Sequence, residues 1–69
     1  MTDKELANSA CDDGFKEGVQ NMIEILLQGW ITAQTPAERK QTVQRFQNGL
    51  GIYKDAYQSA KKAIDAVFS

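Results

Sequence analysis

The residues that could carry out chemistry in this chain are few, and none has the partners that catalysis needs. The sequence contains no histidine, so the commonest general base and the usual catalytic triads are missing. Cys11 has no candidate base beside it, which favours a structural thiol over a nucleophile. Asp13 and Glu17 stand one helical turn apart, but a metal site usually needs more ligands than two carboxylates. We therefore expect a protein that is not an enzyme and that binds no cofactor or metal.

Two features could bind phosphate groups, and both are weak. Gly49-x-Gly51 follows no predicted strand and lacks the third glycine of a dinucleotide-binding motif. Lys40, Lys54 and Lys61 could follow a nucleic-acid backbone, but the formal net charge of the chain is −1. A nucleic-acid-binding regulator is therefore kept only as a weaker alternative, and pairing of these lysines with carboxylates or water is favoured.

Charge divides the chain into two halves. Residues 1–35 carry six acidic and two basic side chains, a net charge of −4, whereas residues 36–69 carry three acidic and six basic ones, a net charge of +3. Opposite charges should attract the two halves to each other, either within one chain or between neighbouring chains.

A helix is predicted to begin at the single proline. Thr35 is a good N-cap, Pro36 suits the first helical turn, and Glu38 stands three residues after Thr35 as in a capping box. The preceding helix should end near Ala33, so the turn at Gln34-Pro36 is short and joins antiparallel neighbours.

The apolar residues of the second half repeat in alternating steps of three and four. They are Val43, Phe46, Leu50, Tyr53, Tyr57, Ala60, Ile64 and Val67. A turn at Asn48-Gly49 would reset this heptad phase, and the phase continues, which favours one helix over about residues 36–68. The alternative is a three-helix bundle with a break near Asn48-Gly51.

Beside the apolar row lies a row of small residues, among them Gly49, Ala56 and Ala63, which we expect to let another helix approach closely.

The first helix is predicted over about residues 3–33, with a possible break near Gly14. It has more apolar surface than one neighbouring helix can cover. Its predicted contact row is Phe15, Val19, Met22, Leu26, Gly29 or Trp30, and Ala33. The apolar residues Ile23, Ile25, Leu27 and Ile31 lie beside that row, and the part that one partner helix cannot cover would stay exposed in a lone hairpin. Trp30, together with Phe15, suits a contact with a partner, although Trp30 could equally close the hairpin beside its turn. The fold expected is thus all-α, a coiled-coil-like antiparallel hairpin forming a single domain over residues 1–69.

No apolar run reaches the length of a membrane span, and no secretory signal is recognisable near Met1, so a cytoplasmic location is expected by default. A chain of 69 residues without a disulfide is also marginally stable on its own.

Two segments resemble the small subunits that polymerise into the needle of bacterial type III secretion systems. Phe15-Lys-Glu-Gly18-Val19-Gln-Asn21-Met22 is similar to a Phe-x-x-Gly-Val-x-Asn-Leu stretch in the first helix of that family. Phe46-Gln-Asn-Gly-Leu50-Gly-Ile-Tyr53 is similar to its Tyr-Gln-x-x-Leu-x-x-Tyr stretch. The resemblance implies a helical hairpin that self-assembles and is exported without a cleaved signal. The co-chaperones that hold needle subunits are helical hairpins of similar length.

Two functions are therefore expected from the sequence. The first is a self-assembling structural subunit, whose interaction residues are predicted to be Phe15, Ile23, Leu27, Trp30, Ile31, Gly49, Ala56 and Ala63. The alternative is a co-chaperone, adaptor or inhibitor that offers its helices to a different protein. The partner is a protein in both cases, and no small-molecule substrate is expected.

Overall fold

A computed structural model, which describes residues 2–68, shows two antiparallel helices joined by a short turn. Helix α1 is Asp3–Thr32, of 30 residues, and helix α2 is Pro36–Phe68, of 33 residues. The predicted two-helix hairpin is confirmed. Helix α2 runs through Asn48–Gly51 without a break, so the three-helix alternative is wrong. Helix α1 likewise passes through Gly14.

The N-terminus of α1 is capped by Thr2. Its hydroxyl oxygen accepts a hydrogen bond from the backbone N–H of Glu5, at 3.2 Å, and its own backbone is extended. This bond satisfies one of the N–H groups that a helix start leaves without a partner. Asp3 and Glu5 add negative charge to the first turn, where it interacts favourably with the positive end of the helix dipole.

The turn is built by the predicted capping residues. The Thr35 hydroxyl accepts a hydrogen bond from the N–H of Glu38 at 3.2 Å. The Glu38 carboxylate in turn accepts one from the N–H of Gln34 at 2.8 Å, one residue earlier than in a standard capping box. Ala33 leaves the helical conformation, and its N–H still donates to the Gly29 carbonyl. Local sequence thus fixes where the chain reverses.

The two helices contact each other along the predicted apolar rows. On α1 the half-buried residues include Phe15, Val19, Met22 and Leu26, and Gly29 rather than Trp30 takes the next position. On α2 the predicted row is half-buried from Val43 to Ile64.

Val67 departs from this pattern, because it is 74% exposed. Lys4 pairs with Asp65 at 3.3 Å, so α1 has almost no residues left to cover the last turn of α2. The predicted apolar row is therefore one turn too long.

The hairpin is a single layer. Its Cα atoms extend over 51 × 18 × 7 Å, and Ala33, at 9% exposure, is the one apolar residue within the described chain that the fold buries. Most domains bury the apolar side of one layer against a second layer. Here both broad faces of the helix pair lack such a second layer within residues 2–68.

Candidate protein-interaction surface

The end of the hairpin far from the turn is held by polar contacts. The Lys61 ammonium lies 2.8 Å from the Asp12 carboxylate and 3.3 Å from the side-chain oxygen of Asn8. The Tyr57 hydroxyl donates a hydrogen bond to the same Asp12 oxygen. These bonds link the acidic half of the chain to the basic half, as the charge division predicted.

This polar network shifts the ionisation of its members. Hydrogen bonds from Lys61 and Tyr57 lower the pKa of Asp12 below its ordinary value of 3.8. The hydrogen bond to Asp12 raises the pKa of Lys61 above 10.5, and it also raises the pKa of Tyr57 above 10.0. All three shifts favour the state in which Asp12 is charged, Lys61 is charged and Tyr57 is neutral.

An aromatic cluster lies next to this network, between the helices. The Phe15 ring stacks on Tyr53 with centroids 5.5 Å apart and tilts against Tyr57 at 4.5 Å. The Tyr53 hydroxyl donates to the Gly14 carbonyl at 3.0 Å, which gives its polar end a partner on α1. Phe15, predicted as an interaction residue, therefore contacts the other helix of its own chain.

Two glycines of α1 allow the helices to approach closely. A Cβ atom added to Gly18 would lie 2.0 Å from the Tyr53 hydroxyl oxygen, and one added to Gly29 would lie 2.8 Å from the Thr42 methyl carbon. At Gly49 the nearest atom would be the Met22 sulfur at 3.6 Å, an ordinary contact. The tight positions within the hairpin are thus Gly18 and Gly29.

The sequence did contain a signal for these two glycines, since both fall on the contact side of α1. Gly18 stands next to Val19 of the predicted contact row but was not itself predicted in it, and Gly29 was one of two candidates for the position before Ala33. The close approach was instead predicted for the small-residue row of α2, where Ala56 and Ala63 are exposed in the structure. Gly51 faces open space, with no atom within 4 Å of an added Cβ.

Large apolar side chains are exposed near the turn. Ile31 is 79% exposed and Trp30 is 46% exposed, and Ile23 and Leu27 also belong to this group. The Arg39 guanidinium lies 5.5 Å from the centre of the Trp30 ring, so Trp30 contacts the first turn of α2 and still presents much of its surface to solvent. We call Ile23, Leu27, Trp30 and Ile31 the tryptophan patch.

A groove of about 280 Å³ lies between the helices in the same half of the hairpin. Gly29 and Gly49 are among the residues that line it, and Ile25, itself 69% exposed, forms part of one wall. Its lining is mainly apolar and consists of Met22, Ile25, Leu26, Gly29, Thr42, Arg45, Phe46 and Gly49.

Among residues 2–68 no three histidine, cysteine or acidic side chains come together in a way that could hold a metal ion. Neither helix has, within its described residues, a stretch apolar and long enough to cross a bilayer.

Comparison with protein-family models, with curated proteins and with solved structures finds no match to this chain.

Proposed function

We propose that this protein is a non-catalytic structural subunit that assembles with copies of itself through helix–helix contacts. The observation that carries the proposal is the tryptophan patch, in which four neighbouring large apolar side chains remain exposed. Contiguous exposed patches of this kind mark interaction sites on proteins in water. Tryptophan, the residue type of Trp30, is also among those enriched at the energetically dominant positions of interfaces.

The single-layer architecture supports the same proposal. A helix pair with so little buried surface gains limited stability from its own packing, because the hydrophobic contribution scales with the apolar area removed from water. A neighbouring copy would supply the missing second layer. The resemblance of Phe15–Met22 and Phe46–Tyr53 to needle subunits of type III secretion points to the same class of function.

A test compares association of the wild type with that of a Trp30→Ser/Ile31→Ser variant. Light scattering over a wide concentration range should show the wild-type mass rising above the 7.7 kDa of one chain, and the variant should remain monomeric. The matched control is Leu6→Ser/Val67→Ser, which removes two exposed apolar side chains far from the turn and should associate like the wild type.

A strict wild-type monomer at high concentration would contradict self-assembly. That result would favour the alternative that the hairpin is a co-chaperone, adaptor or inhibitor of a different protein.

A further inference from the structure

We infer that the copies associate head to tail, with the tryptophan patch of one chain seated on the groove beside Ile25 of the next. The inference rests on the proposed self-assembly and adds to it the second half of the contact. Such a heterologous contact uses two different surfaces of each copy, so it can continue from copy to copy without closing.

The centres of the two surfaces lie on opposite broad faces of the hairpin, and Ile31 extends the tryptophan patch to the outer edge of α1. Successive residues turn by about 100° around a helix, so relative to Met22, which contacts α2, Trp30 lies about 80° to one side and Ile25 about 60° to the other. Asp12 shares the side of Trp30 and bonds Lys61, whereas Ile25 lines the groove together with Gly49. We name these the tryptophan face and the groove face.

A contact between two identical faces leaves the other face of each copy uncovered. If two tryptophan faces pair, both grooves remain open, and if two groove faces pair, both patches remain exposed. Pairing of unlike faces, repeated from copy to copy, covers both the patch and the groove of every internal copy and so removes both apolar surfaces from water.

A contact that covers a whole broad face is large enough for a stable interface. The Cα extents of 51 × 18 Å correspond to about 900 Å², and a stable protein–protein interface buries about 800 Å² on each partner. The patch and the groove both lie in the half of the hairpin near the turn, so the contact between two copies has to extend from them along the rest of the face.

Charges around the two surfaces favour pairing of unlike faces. Between residues 16 and 54, the helical positions on the side of Trp30 carry Lys16, Lys40 and Lys54, and Arg39 lies over the Trp30 ring. Those on the groove side carry Glu38 and Arg45, and Glu17 and Glu24 lie towards that side at the outer edge of α1. Two tryptophan faces in contact would bring lysines against lysines. Unlike faces instead bring lysines of one copy towards carboxylates of the next, and such complementarity selects partners and orientation.

The composition of the groove suits a large apolar occupant. Its lining includes Met22, Leu26 and Phe46 from the contact rows, and Gly29 and Gly49 contribute only backbone atoms to it. An indole or branched aliphatic side chain entering it would contact mainly carbon atoms, with Thr42 and Arg45 at its polar part. Trp30 and Leu27 of a second copy have this chemistry.

The experiment mixes two variants that each lose one surface. The patch variant is Trp30→Ser/Ile31→Ser, and the groove variant is Ile25→Glu, which places a charge on the groove wall at a side chain that is already exposed. Each variant alone should remain a monomer. An equimolar mixture should give a species of twice the 7.7 kDa chain mass and no larger one, because one intact patch meets one intact groove.

The control variant is Leu6→Glu, which adds the same charge at an exposed apolar residue of α1 far from the groove and should assemble like the wild type. Circular dichroism of each variant verifies that the hairpin is folded. If the Ile25→Glu protein does not fold, Arg45→Glu serves as a second groove variant.

The outcomes separate the inference from the proposed function. If the wild type assembles and either single-surface variant still assembles equally well, or if the mixture stays monomeric, the head-to-tail contact is wrong although self-assembly stands. If the wild type itself never exceeds one chain mass, both are wrong.

Discussion

At the scale of single residues, glycines in this hairpin have opposite roles that only the packing distinguishes. Gly14 and Gly51 face open space, whereas Gly18 lies directly under the Tyr53 ring. In open positions a glycine only lowers helix stability, by up to ~1 kcal/mol relative to alanine. At Gly18 the missing side chain is what lets Tyr53 stack on Phe15 and reach the Gly14 carbonyl.

Alanine substitutions should therefore change stability in opposite directions. Gly14→Ala and Gly51→Ala should each raise the free energy of unfolding by ~0.5–1 kcal/mol. Gly18→Ala should lower it by about 1 kcal/mol or more, because the displaced Tyr53 ring loses its stacking and its hydrogen bond. Urea denaturation measured on all three variants tests this.

A Tyr53→Ala background provides the control for the prediction at Gly18. There the added methyl group meets no ring, so Gly18→Ala should become stabilising. A Gly18→Ala effect that is the same in both backgrounds would contradict the close contact.

The polar network predicts a pH dependence that also belongs to individual residues. Because the pKa of Asp12 is lowered on folding, its contribution to stability is present above the unfolded value of 3.8 and is lost as the pH falls through the folded pKa. Because the pKa values of Tyr57 and Lys61 are raised, their contributions are present below about 10 and are lost at higher pH. The network should thus be most stabilising between these limits.

Asp12→Asn tests this dependence. The difference in unfolding free energy between wild type and variant should be largest near neutral pH and should shrink on acidification below about pH 4. Asp13→Asn is the matched control, since no hydrogen bond or ion pair of its side chain to α2 is found within residues 2–68. An Asp12→Asn difference that does not vary with pH would contradict the role of the network.

At the scale of elements, the ends and phases of the helices were predictable because they depend on neighbouring residues. Thr35, Pro36 and Glu38 form a start signal whose hydrogen bonds are local, and the heptad phase through Gly49 required no knowledge of the partner helix. The tight contacts at Gly18 and Gly29 could not be placed in the same way. They depend on the register between α1 and α2, which neighbouring residues do not set.

The cap of α2 gives a prediction at this scale. Thr35→Ala should lower the free energy of unfolding by ~1 kcal/mol, because the Glu38 N–H loses its side-chain acceptor. Thr32→Ala is the comparison, since the Thr32 hydroxyl donates to the Gln28 carbonyl of its own helix and caps no helix start. A Thr35→Ala protein as stable as Thr32→Ala would show that the turn is fixed by other contacts.

At the scale of the whole molecule, the hairpin has two broad faces and a very small interior. The excess of apolar residues on α1, including Leu27, Trp30 and Ile31, was predictable from the sequence, because one helix–helix contact covers one stripe. The groove beside Ile25 was not predictable, because residues of both helices line it, Gly29 from α1 and Gly49 from α2 among them. A surface formed by two elements together is not visible in either one.

Assembly should also make thermal stability depend on concentration. If neighbouring copies bind only the folded hairpin, the midpoint of thermal unfolding should rise as the protein concentration rises. The Trp30→Ser/Ile31→Ser variant should show a midpoint that is constant over the same range. A wild-type midpoint that is independent of concentration would argue that folding and association are not coupled.

The proposed self-association of this chain is tested most directly by the mass of the wild-type protein in solution. Light scattering or sedimentation from low to high concentration is expected to show a mass that grows beyond the 7.7 kDa of one chain, without stopping at a dimer. A mass that stays at 7.7 kDa across the whole range would contradict self-association.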